Sequence, residues 1–89
     1  MLSQRTFAEI AQVTQQALQR IPGRDVIDRV TVIRGYAQLL AINPTRKDYE
    51  AKLAAALLDL SYVASRFKEA ELTRDFQALV TAIDAERMS

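Results

Sequence analysis

Apolar residues recur along this chain at steps of three and four, in four segments separated by clear stops. Phe7, Ile10, Ala11, Ala17, Leu18 and Ile21 fall on one side of a first helix, predicted over about residues 6–20. Thr6 and Glu9 have capping-box spacing at its start. Pro22-Gly23 stops it, because proline clashes with the preceding turn and glycine takes a left-handed position. Val26, Val30, Ile33, Ala37 and Leu40 then advance by heptad steps, predicting a helix over 25–42 with Asp25 as N-cap and Asn43-Pro44 as stop. Thr45 and Asp48 open a third helix over 46–68, where Tyr49, Leu53, Ala56, Leu60, Val63 and Phe67 keep the same rhythm. The seam slips after Phe67: Leu72, Phe76, Leu79 and Ile83 form a fourth stripe out of phase with the third. One unbroken helix from residue 46 to 87 would be about 63 Å long. The slip instead places a break near Glu69–Thr73, with Thr73 capping a helix over 73–87. Nothing alternates as a strand does, and no long period repeats. The predicted fold is therefore all-α: one domain over residues 1–89, an antiparallel bundle of about four helices whose middle two form the principal hairpin.

At about 100° per residue, the first and fourth helices carry one apolar stripe each, whereas the middle two carry more. Val32 and Leu39 lie roughly opposite the main seam of the second helix, with Tyr36 between the faces and Gly35 beside them. On the third helix, Ala51, Ala55, Leu58 and Tyr62 form a second stripe behind the first. A bundle needs one apolar stripe per helix, so the excess points to a second contact surface, and twofold self-association is its commonest form. The expected interface comprises Val32, Gly35, Tyr36, Leu39, Leu58 and Tyr62, with the central hairpin dimerising. Glycine inside a helix costs about 1 kcal/mol relative to alanine. At Gly35 that cost reflects either local tolerance or the close approach of another backbone.

Composition narrows the chemistry. Fourteen Ala, ten Leu and nine Arg favour helix, and only two Gly and two Pro interrupt it. With no Cys and no His, the chain has no disulfide, thiol nucleophile, imidazole base or usual zinc site. Ser61 and Ser65 have no imidazole to activate them, and no Gly-rich loop can cradle phosphate. The carboxylates, Glu50 among them, read mostly as caps and polar faces, and the His-containing pairs of a bundle di-metal site are missing. No catalytic residue, metal ligand or cofactor is predicted. No secretory leader is visible, and the longest apolar run, Leu53–Leu58, is far short of the ~20 residues a membrane span needs. A cytoplasmic protein is expected.

The net charge of +1 exerts no global pull on nucleic acid, but it is unevenly spread. Residues 20–47 carry six basic and two acidic groups, whereas residues 48–89 carry five basic and eight acidic. Arg20, Arg24 and Arg34 are candidate electrostatic contacts for an acidic partner, as in a small helical inhibitor, for example a viral one, of a host complex. Arg29 points away from Arg20 and Arg24, so no continuous basic stripe forms. Tyr36–Thr45 is superficially similar to the first helix and turn of a helix-turn-helix. The following helix, however, carries Lys47 and Glu50 where packing requires apolar residues, which argues against DNA reading.

The run Val30-Thr-Val-Ile-Arg-Gly-Tyr-Ala-Gln-Leu-Leu40 resembles the first helix of histidine-kinase dimerisation and phosphotransfer domains. Leu57-Leu58-Asp59-Leu60-Ser61 is similar in character to that family's second helix. The resemblance implies a helical hairpin that dimerises into a four-helix bundle. Aligned through Thr31, the phosphoacceptor histidine falls on Arg24, the acid after it on Asp25, and the motif's proline on Arg29, so only the acid is kept. Without an imidazole, histidine autophosphorylation is chemically excluded. What the resemblance implies is a non-catalytic relative or mimic: a homodimeric regulator or adaptor whose protein partner belongs to two-component signalling.

Overall fold

The computed structural model describes residues 1–88. Four helices follow one another: α1 (Gln4–Arg20), α2 (Arg24–Ile42), α3 (Lys47–Arg66) and α4 (Ala70–Met88). The predicted boundaries stand within three residues of these. Each helix packs on its neighbours in sequence, and α4 closes on α1. The ends show the directions: Thr6 reaches Glu86, Arg20 reaches Glu71 and Arg29 reaches Asp59, so adjacent helices are antiparallel. The fold is an all-α four-helix bundle, 34 × 20 × 18 Å in extent.

Several caps differ from the predicted ones. Ser3, not Thr6, caps α1: its hydroxyl accepts from the Thr6 amide at 3.1 Å, leaving Thr6 inside the first turn and buried. The α2 cap is Gly23, at φ +109°, where a left-handed backbone requires glycine, and Asp25 sits in the first turn. Arg46 precedes α3 without a side-chain cap bond, and Thr73 lies within α4, donating back to the Glu69 carbonyl.

The α3–α4 break begins slightly earlier than predicted, at Phe67. The Glu69 amide donates to the Ala64 carbonyl and the Lys68 amide to that of Ser65, both at 3.0 Å, a Schellman closure with Lys68 at φ +59°. Phe67 consequently leaves the seam and lies half exposed.

The core runs along the bundle axis. Val26, Val30, Ile33 and Leu40 of α2, with Leu72, Phe76, Leu79 and Ile83 of α4, are buried as the heptad steps predict. On α1 the buried set is Thr6, Ile10, Val13, Thr14 and Ala17, while Ala11 is exposed and Phe7 and Leu18 are half-buried. The α3 helix, packed on α2 and α4 together, buries a broader arc than its predicted seam, adding Glu50, Ala54, Leu57, Ser61 and Ala64. Thr14 and Ser61 enter the core because their hydroxyls donate to the carbonyls of Ile10 (2.7 Å) and Leu58 (2.6 Å).

Candidate functional site

The two middle helices are tied together by Arg29. Its Nε donates to Asp59 Oδ2 at 2.9 Å across the hairpin, and its guanidinium lies 3.5 Å from Asp25 Oδ1 one turn back. Beside this clasp runs a surface groove of about 160 Å³, lined by Asp28, Arg29, Val32, Ala56 and Asp59. That is below the ~300 Å³ of a typical ligand cleft and about the size of one long side chain. Val32 and Leu39 share this flank of α2, being seven residues apart, and are 49% and 38% exposed. On α3, Lys52, Ala55, Asp59, Tyr62 and Arg66 follow at steps of 3, 4, 3 and 4, and all five are exposed. The outer face of the hairpin therefore sets the exposed apolar residues Val32 and Leu39 beside charged ones, with the Arg29–Asp59 pair between the helices.

The sequence-predicted interface residues do not all meet on this face. Val32 and Leu39 lie on it, with Gly35 beside them and Tyr62 on its margin. A Cβ built on Gly35 would touch nothing within 4 Å, so no packing within the chain requires glycine there. Tyr36 turns into the α2–α3 seam, half-buried, its ring centroid 6.3 Å from that of Tyr49. Leu58 is half-buried on the opposite flank of α3, in line with Ser65, which borders α4. Of the candidate basic contacts, Arg20 pairs with Glu71 at 3.4 Å, and Arg34 donates to the Gln15 side chain at 3.3 Å. Arg24 is exposed and has no charged partner among the described residues.

At the hairpin turn, Arg46 donates to both Asp48 oxygens, at 2.9 and 2.6 Å, and its guanidinium carbon stands 4.0 Å from the Tyr49 ring centroid. The hydrogen bond from Arg46 holds the Asp48 carboxyl down at about 2.

Glu50 is fully buried rather than on the polar face its charge predicts. Neither carboxylate oxygen accepts a hydrogen bond from a described residue. The Met1 amine at 3.5 Å and Lys47 Nζ at 3.9 Å supply opposite charge. The signal was present, since Glu50, Leu57 and Ala64 fall seven residues apart on one line of α3.

Comparison of the chain with known protein families, characterised proteins and solved structures finds no match. Among the described residues, no group of three or more acidic side chains is placed to hold a metal ion, and no helix is long and apolar enough to cross a membrane.

Proposed function

We propose that this chain is a non-catalytic helical interaction module: a cytoplasmic regulator or adaptor that self-associates through the α2–α3 hairpin and engages a protein partner in signalling. The supporting observation is where large apolar side chains remain exposed. Among the described residues, four of the eight, Ile27, Val32, Leu39 and Ile42, belong to α2, and all but Ile27 fall on its outer flank beside α3. Such a concentration on one element of a small bundle marks a contact surface better than scattered apolar residues do.

The kinase-like run, residues 30–40, supports the signalling part of this reading and also constrains it. The α2 seam residues Val30, Ile33 and Leu40 are buried within this chain's own four-helix core, so a partner must meet the outer flank. Gly35 agrees with such an approach, since it presents no side chain and the space a Cβ would take is open among the described residues.

Sedimentation of the Val32→Asp, Leu39→Asp double variant beside wild type tests the reading. Both sites are exposed, so the variant keeps its helical circular dichroism while its association is lost. A double variant that associates as tightly as wild type would remove this face from the account.

A further inference from the structure

Two copies of the hairpin face can meet in several registers, and charge selects among them. Consider a twofold axis lying in the interface, perpendicular to the helices. It stacks each α2 antiparallel on the other α2, and each α3 on the other α3. Centred on Asp59, such an axis sets that carboxylate against itself and Lys52 against Arg66, like charge on like. Centred between Ala55 and Ala56, it sets each Lys52 against the partner's Asp59, and small side chains lie at the closest approach. Arg29 lies beside Asp59, and Val32 shares the groove with Ala56, so the same axis crosses α2 at Val32. Both points fall near the middle of their helices, and the two bundles overlap along almost their full length. Pairing Asp59 with Arg66 instead would move the axis to Tyr62–Val63, near the end of α3, leaving Val32 and Leu39 uncovered.

We infer that a second copy of this chain docks antiparallel on the hairpin face, with Lys52 of each copy reaching the partner's Asp28 and the partner's Asp59 in the groove that the partner's Arg29 also lines. Lys52 and Asp28 are exposed and have no ion pair within the described chain, and Asp59 is shared only with Arg29. The inference rests on the self-association proposed above and adds its register.

The chain contains no cysteine, so a single introduced thiol reports contact cleanly. Under oxidised glutathione, Ala55→Cys, beside the axis, is trapped as a disulfide-linked dimer, whereas Gln77→Cys on exposed α4 is not. Lys52→Asp brings three carboxylates together on each side and weakens association roughly tenfold. A dimer that Ala55→Cys fails to trap, or that Lys52→Asp leaves as tight as before, overturns this register and leaves self-association standing. A wild-type chain that stays monomeric at every concentration overturns both.

Discussion

The Thr6 hydroxyl donates a 2.7 Å hydrogen bond to Glu86, joining the first helix to the last. The Ser3 amide donates to the other carboxylate oxygen, also at 2.7 Å. Burial pushes the Glu86 carboxyl up, but these donors more than offset it, and the group ends below its ordinary range. Asp48 is depressed as well, to about 2. A carboxyl depressed on folding stabilises the fold above its unfolded pKa, and that contribution is lost as pH falls through the folded value.

Urea unfolding should therefore show stability declining below about pH 4.5, with Asp48 contributing down to about pH 2. Glu86→Gln flattens the upper part of that decline. Thr6→Val, which removes a part-buried donor to a carboxylate, costs roughly 1–2 kcal/mol at pH 7. An acid limb identical in wild type and Glu86→Gln would contradict the assignment.

Lys68 closes α3 in the left-handed region without being glycine. Lys68→Gly removes that Cβ strain and retains both Schellman hydrogen bonds, so the fold gains about 1 kcal/mol, read as a rise in the urea midpoint. A lowered midpoint would mean that the lysine side chain contributes something its exposed position does not suggest.

Glu50 offers the opposite test. Its carboxylate is fully buried and accepts no hydrogen bond from a described residue, while both cations near it are largely exposed and remain hydrated without it. Glu50→Met replaces a desolvated charge with an apolar side chain of similar size and is expected to raise stability by roughly 1–3 kcal/mol. Thermal unfolding measures this. A large loss would show that the buried charge organises that end of the bundle.

The four helices were legible because heptad spacing survives in Val26–Leu40 and Leu72–Ile83, and because Pro22-Gly23 and Asn43-Pro44 are local stops. Cap identities were less legible. A threonine can cap a helix or sit inside one, and Thr6 is used by Glu86, a residue distant in sequence but adjacent in the closed bundle. Thr14 and Ser61 escaped a hydropathy reading because each satisfies its hydroxyl on its own helix, which removes the cost of burying it. The breadth of the α3 core arc depends on α3 lying between two neighbours, a fact of packing order that no single helix encodes. Of the residues expected to face outward, Val32 and Leu39 were readable as exposed from their spacing alone. Leu58 was not, because the flank bordering α4 looks like any other apolar stripe until α4 is placed.

Sedimentation equilibrium of the wild-type chain over low to high micromolar concentration reads self-association without any substitution. Self-association through the hairpin face predicts a mass rising from the 10.0 kDa of one chain to twice that value as concentration increases. A mass that stays at 10.0 kDa throughout would contradict it.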